Sequence, residues 1–409
     1  MRLLFVTNLY PPYVVGGNEM LCEDVVRGLR SRGHDVAVLC GRGRLLAGRP
    51  ELRAELEIDL DRKAETFLGG RVPTPAEAFR QHVFSPASFR ATRRALGELR
   101  PELVVIWNLY LASLAPAIAA EWGPAPTVVH LFDKWLYHGL RDLPGLLKPV
   151  IRWKRWLVGS APLVLQPWLR LLVRPRRMVA VSHFIKRFYV QAGFADAAIA
   201  VNHIGVPAGV FSPAARASRE PDTPLRLLYV GSLWEGKGPQ VAVRALGRLL
   251  RAGVQARLDV CGSGTPHFLA FLEQTIGDEG AAGQVVLHGQ VDRSRVRELC
   301  HAADVLVFPS LWDEPFAAVP LEAMSCGLPV VASTAGGTPE AIEDGVSGLL
   351  VPPGDPDRLA GALRRLAEDE EFRLRLGAEA ARVARERFGF DAYLDRLEAY
   401  YRGCLSPAP

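Results

Sequence analysis

The sequence predicts an α/β protein made of two doubly wound parallel-sheet domains facing a central cleft. Short β-branched apolar runs alternate with helical patterns along the chain. A proline-rich stretch interrupts that alternation near the middle, after which it restarts. The length, 409 residues, suits two to three domains of ordinary size.

In the first half, residues 3–8, 36–40, 103–108, 127–132, 178–182 and 199–204 read as strands. Most are apolar on both faces, as strands covered on both sides must be. Helices fit between them; residues 19–32, for example, end at Gly33. Residues 206–224 carry Pro207, Gly209, Pro213, Pro221 and Pro224 with almost no periodicity, and read as a linker. Strand patterns return at 225–230, 256–261, 284–288, 304–309, 329–333 and 348–351, followed by helical patterns at 357–368, 371–387 and 391–402. The expected division is 1–205, a linker 206–224, a second domain 225–387, and a last helix 388–409 crossing back to the first domain. Ligands of such sheets bind beyond the carboxyl ends of the strands, so a site in the cleft is expected.

Apolar residues make up 49% and charged residues 23%, which excludes a disordered chain and leaves enough apolar material for large cores without a metal or disulfide. Net charge is +5. Residues 1–205 hold 28 Lys/Arg against 17 Asp/Glu, and the remainder 21 against 27. That asymmetry fits either an anionic partner of the first half or a solvated surface. The six cysteines are dispersed, with no Cys-x-x-Cys or Cys/His cluster, so neither structural zinc nor a disulfide framework is indicated. A reducing cytoplasm is the expected compartment. The N-terminus lacks a signal-peptide pattern, and no apolar run is long enough to span a membrane.

The chemistry-bearing residues gather at predicted strand ends. Glu314 and Glu322 stand eight apart. Glu314 precedes Pro315 and so belongs to a loop, whereas Glu322 falls about one turn into the next helix. A carboxylate accepts paired hydrogen bonds from vicinal hydroxyls, as on ribose or a hexose, and free N–H groups at a helix start suit phosphate or sugar oxygens. Residues 231–238, Gly-Ser-Leu-Trp-Glu-Gly-Lys-Gly, follow the first strand of the second domain and place Lys237 to meet phosphate. Gly336-Gly337 and Gly16-Gly17 also follow strands, and glycine permits close backbone approach.

These blocks resemble the retaining, nucleotide-sugar-dependent glycosyltransferases of family 4, also called group 1, whose two Rossmann-like domains define the GT-B architecture. The matching text is Tyr10-Pro11-Pro12 through Gly16-Gly17-Asn18-Glu19, then 231–238, Ala303-Asp304 through Pro309-Ser310, Glu314 through Glu322-Ala323-Met324, and Gly336-Gly337-Thr338-Pro339-Glu340. The resemblance implies that Glu322 holds the nucleotide ribose. It implies that Glu314, with the backbone of Phe316, Ala317 and Ala318, contacts the donor sugar, and that Lys237 neutralises the diphosphate. Gly16 and Gly17 would approach donor phosphates or acceptor. Ser232, Gly336 and Gly337 would complete the donor site, and Asp133 joins Glu314 and Lys237 as a catalytic candidate. No metal and no cofactor are implied; the donor is a nucleotide-diphosphate sugar, and the acceptor a glycan, a lipid-linked glycan or a small molecule. The implied reaction is sugar transfer with retention, by front-face attack assisted by the departing phosphate.

Three positions depart from the family pattern. Ser232 stands where arginine is usual, Phe132 precedes Asp133 where histidine is usual, and Ala317 replaces a common glycine. His130, two residues back, points the same way as Phe132 from a regular strand. A sugar-nucleotide epimerase of the same fold and a catalytically silent nucleotide-sugar-binding protein are the alternative readings.

Residues 134–187 contain 12 Lys/Arg and one acidic residue, Asp142, interleaved with Trp135, Trp153, Trp156 and Trp168. Such a stretch suits an anionic membrane surface at the inner face, or a helical excursion packed on the first domain. No nucleic-acid-reading motif is present. Cys261-Gly262-Ser263-Gly264 reads as a strand-to-helix turn near the phosphates rather than a dinucleotide fingerprint. Asp59-Leu60-Asp61 lies in a charged, helix-like stretch, 51–63, and is not read as a metal site. His183 opens a helix, with a capping or an acceptor-side role open.

Overall fold

The computed structural model describes residues 1–49, 51–61, 75–110, 112–141, 169, 172–214, 223–316 and 318–405. The chain forms two compact units. The first is Met1–Asn202 with the C-terminal segment from Leu394; the second is His203–Tyr393.

Among the described residues of the first unit, seven parallel strands form one sheet: β1 (Arg2–Thr7), β2 (Asp35–Arg42), β3 (Leu52–Asp59), β4 (Leu103–Asn108), β5 (Thr127–Leu131), β6 (Met178–Ala180) and β7 (Ile199–Val201). Their order is β3-β2-β1-β4-β5-β6-β7. The central strands are sealed on both faces: β4 and β5 are buried throughout. Each such Leu, Ile or Val contributes about 1.5–3 kcal/mol of apolar burial.

Among the described residues of the second unit, six parallel strands follow: β8 (Leu225–Val230), β9 (Ala256–Cys261), β10 (Val285–Gly289), β11 (Val305–Phe308), β12 (Val330–Ser333) and β13 (Leu349–Val351), ordered β10-β9-β8-β11-β12-β13. Both orders reverse direction once, between β1 and β4 and between β8 and β11. At such a switch point adjacent strand-end loops diverge and leave a crevice.

Local signals set the helix starts. Asp355, Asp369, Asp292, Thr265 and Ser182 accept amide hydrogens of the first turns that follow them. Losing one such cap costs about 1 kcal/mol. The six cysteines are free and buried, acting as small apolar side chains.

Most of the described part of the charged stretch 51–63 is strand rather than helix; only Leu60 and Asp61 begin a helical turn. It contains β3, the edge strand of its sheet, whose later residues alternate between buried and exposed. An edge strand needs only one apolar face, so its exposed positions can carry Arg and Glu and imitate a helix pattern. Asp59 ends that strand, and Asp61 accepts hydrogen bonds from the Tyr13 hydroxyl and the Arg44 amide.

The last helix, Phe390–Leu405, docks on the first unit from Leu394 onward. Arg32 meets Asp395 at 2.7 Å and Glu398 at 3.3 Å, and the buried His34 lies 3.0 Å from Glu398. Arg402 first, with His34 and Arg32 adding, pulls Glu398 down to about 2. Tyr401 reaches His130 of β5 at 2.8 Å.

Candidate active site

In the second unit the site begins with the two strands that flank the reversal, β8 and β11. The β8 loop carries Lys237 at the end of a short 3-10 turn, Glu235–Lys237. Gly238 then turns the chain at φ +72° into the helix Pro239–Arg251. A side chain at Gly238 would overlap the Pro309 carbonyl at the end of β11, so the two loops touch backbone to backbone. Leu311 and Trp312 both donate their amides to the Gly236 carbonyl at 2.8 Å, closing the join.

That join brings Lys237 to Glu314. The ammonium lies 2.7 and 2.9 Å from the two carboxylate oxygens. Glu314 is buried, and the Ser310 hydroxyl donates to the same carboxylate at 2.8 Å. Charge-assisted contacts of this kind are roughly twice as strong as neutral ones. Tyr229 donates its hydroxyl to the carbonyls of Ser232 and Lys237, holding the loop from beneath; burial, then the Glu314 charge, keeps its phenol protonated.

Gly336 fastens Glu314 from the other side. It adopts φ +61°, and a side chain there would overlap the Glu314 backbone, while Gly337 donates its amide to the Glu314 carbonyl at 2.6 Å. The Glu314 backbone therefore fills the room that a side chain at Gly336 would need. Glu340 ends this turn 2.9 Å from His203, whose ring packs 4.9 Å from Phe316.

Glu322 lies one turn into the helix Ala318–Ser325, as its spacing predicts, and Arg293 reaches its Oε1 at 3.3 Å. Ser232 is exposed, Phe316 is buried, Ala318 opens the helix, and Ala317 lies outside the described residues. Gly262 and Gly264 form the expected strand-to-helix turn: side chains there would overlap the backbone carbonyls of Gly231 and Leu233.

The first unit builds its switch point differently. Gly16 precedes the helix Gly17–Ser31, and among the described residues no atom lies near the place a side chain would occupy. Its amide is already engaged: Glu19 reaches back to Gly16 at 2.8 Å and Val15 at 3.2 Å. Burial raises Glu19 above the usual carboxylate range against those hydrogen bonds, and the Asp133 charge adds to the rise.

Asp133 accepts the Trp135 amide at 2.6 Å and, at the limit of hydrogen-bonding distance, the Asn108 side chain at 3.5 Å. Burial raises its carboxyl as well. His130 does face the side of Phe132, their rings stacked at 5.4 Å with Trp107 against both. It cannot stand in for the missing histidine, however, because it is sealed in the core and bonded to Tyr401. Burial pushes its pKa down to about 3.

His183 opens the helix His183–Gln191, but Ser182 supplies the cap. In the basic stretch 134–187, Trp135 is buried and Lys134 sits 4.6 Å above the Phe188 ring, while Trp153, Trp156 and Trp168 lie outside the described residues. Among the described residues, no helix is long and apolar enough to cross a membrane.

Reading residues one by one missed Ser310, Arg293 and the capping job of Glu19. Glu19 carried a signal, since it stands three residues after the helix N-cap. The other two depend on contacts between distant segments. Also missed was an exposed pair, Trp234 and Trp312, edge to face at 5.8 Å beside the Lys237 loop.

Comparison with known proteins gives a consistent result. The model of glycosyl transferases group 1 matches residues 212–383, and that of glycosyltransferase family 4 matches residues 15–210. A D-inositol 3-phosphate glycosyltransferase from Acidothermus cellulolyticus is 30% identical over 96% of this chain and 86% of its own length. A glycogen synthase from Mycobacterium tuberculosis is 28% identical over 96% of this chain and 91% of its own. A solved structure of Anabaena HepE with UDP and glucose superposes with a TM-score of 0.73 at 20% identity, covering 98% of this chain and all of that one. The fold is thus shared with a protein of recognisably different sequence.

Proposed function

The chain belongs to the family 4 (group 1) glycosyltransferases, and on that premise we propose that it transfers a sugar from a nucleotide-diphosphate donor with retention of anomeric configuration and without a metal. The observation that carries this is the two-oxygen grip of Glu314 on Lys237 at the β8/β11 switch point, with Glu322 one helical turn beyond.

In this reading Glu322 accepts the ribose hydroxyls and Lys237 meets the diphosphate. Glu314 keeps the ammonium in place and accepts a hydroxyl of the sugar. Phe316, Ala318 and the Gly336–Gly337 turn shape the loop around it. As the bond from C1 to the phosphate oxygen breaks, its electron pair leaves with the phosphate. The acceptor oxygen bonds C1 on the same face and passes its proton to the departing phosphate. Lys237 stabilises the charge that develops there; a single such group is worth about a hundredfold to a thousandfold in rate. Asp133 is our candidate for orienting the acceptor hydroxyl, and Gly16 leaves its approach open.

The acceptor is a glycan, a lipid-linked glycan or a small molecule. We also assign a peripheral membrane contact to residues 134–187, testable by co-sedimentation with anionic liposomes at low salt.

The test is incubation with isotope-labelled nucleotide sugars, UDP-glucose first, and a panel of acceptors, with and without chelator. Transfer that retains configuration and survives chelation supports the proposal. Interconversion of free nucleotide sugars would instead indicate an epimerase, and tight binding with neither outcome a silent binding protein.

A further inference from the structure

A cavity of about 280 Å³ lies at the outer edge of the first unit's sheet, and none of the residues assigned above lines it. Its walls are the end of β2, the edge strand β3 and the first half of the helix Pro86–Leu99. Ala54, Ala87 and Ala91 line it, and their short side chains leave it open. Since a liquid water occupies about 30 Å³, the space takes a tetrahedral anion together with part of a molecule carrying it.

Three guanidiniums, Arg42, Arg90 and Arg94, surround this space with one carboxylate, Glu55. The local charge is therefore +2. Glu55 does not absorb it well. Arg94 stands 3.4 Å from its Oε2, and Arg42 reaches only its backbone carbonyl, also at 3.4 Å. Both are at the weak limit of hydrogen bonding. Arg90 has no ion pair or hydrogen bond among the described residues. Arg90 and Arg94 are four apart on one helix, an arrangement of like charges that costs stability unless a counter-ion sits between them. A planar fork matches two oxygens of a phosphate, and two forks from one helix face with a third from β2 match a dianion.

We propose that this cavity is a binding site for a phosphate group, one borne by a phosphomonoester and distinct from the donor diphosphate site. It goes beyond the transfer reaction proposed above and does not depend on it.

The test is calorimetric titration of the full chain with inorganic phosphate and with glucose 6-phosphate in low-salt buffer. Co-sedimentation with phosphatidylcholine vesicles containing phosphatidic acid forms a third arm. The site predicts binding that weakens at least about tenfold when Arg90→Gln and Arg94→Gln are combined, the loss expected for removing charged hydrogen bonds. The exposed positions of both arginines leave the thermal midpoint near that of the parent. The same binding persists in Lys237→Ala, which separates it from the donor site. Tighter binding of glucose 6-phosphate than of phosphate identifies a soluble ester as the source, and vesicle binding lost in the double variant identifies a lipid headgroup. Phosphate affinity unchanged in the double variant, or no binding of any of the three probes at millimolar concentration, overturns the proposal.

Discussion

At the switch point of His203–Tyr393, loops from β8 and β11 meet through opposite charges, Lys237 against Glu314. At the switch point of the first unit, each carboxylate is held by backbone amides of its own segment, Glu19 by Gly16 after β1 and Asp133 by Trp135 after β5; Trp107 of β4 stacks on His130 of β5, and burial raises both carboxyls. The strand orders are alike, so the difference is one of side-chain chemistry. A shared topology supplies a place for a ligand, and the residues at the strand ends decide what charge that place can hold.

The sharpest way to break this contrast is Lys237→Ala. It removes the ammonium and leaves the buried Glu314 carboxylate with Ser310 as its side-chain partner among the described residues. Transfer should fall about a hundredfold to a thousandfold in kcat/KM. A loss below about threefold would deny the second unit its charged role.

Gly336→Ala should act next most strongly, and through the fold. Its side chain would collide with the Glu314 backbone at a positive φ, costing on the order of 3 kcal/mol, read as a lowered denaturation midpoint. Gly16→Ala, with open space around it, should leave stability within about 1 kcal/mol.

Glu322→Ala should weaken donor binding by about 1–3 kcal/mol in a calorimetric titration. The Arg293 contact gives a sharper form: Arg293→Ala should shift donor affinity less than Glu322→Ala, since Arg293 touches the carboxylate and not the ribose in this account.

The smallest effect is on pH dependence in the first unit, where two groups pull oppositely. His130 is held neutral, its folded value about 3 against 6.5, so the stability it contributes is full above 6.5 and is lost as pH falls toward 3. His130→Phe should flatten that acid limb in a plot of thermal midpoint against pH. Glu19 is raised instead, so its contribution is full below the usual carboxylate value and is lost as pH rises through the folded one. Glu19→Gln should flatten that opposite limb.

Much of this was legible in the sequence. Strands such as 103–108 and 225–230 announce themselves because burial on both faces demands unbroken apolar runs. The edge strand β3 did not, because its exposed face may carry any charge. Glu314, Glu322 and Lys237 were singled out from short motifs and the family resemblance, and the structure puts the first in a loop and the second one turn into a helix, as their local sequence predicts. Their partners were hidden. Lys237 meets Glu314 across 77 residues and Glu322 meets Arg293 across 29, and no local pattern encodes such a meeting. The burial of His130 was hidden for a related reason: strand alternation gives the face of a side chain, shared with Phe132, but not its depth.

Hydrogen exchange of the whole chain, with and without a nucleotide-sugar donor, tests the central claim most directly. Slowed exchange at residues 231–238, 310–322 and 336–340 is the predicted result. Donor binding with no protection in any of these three segments would contradict it.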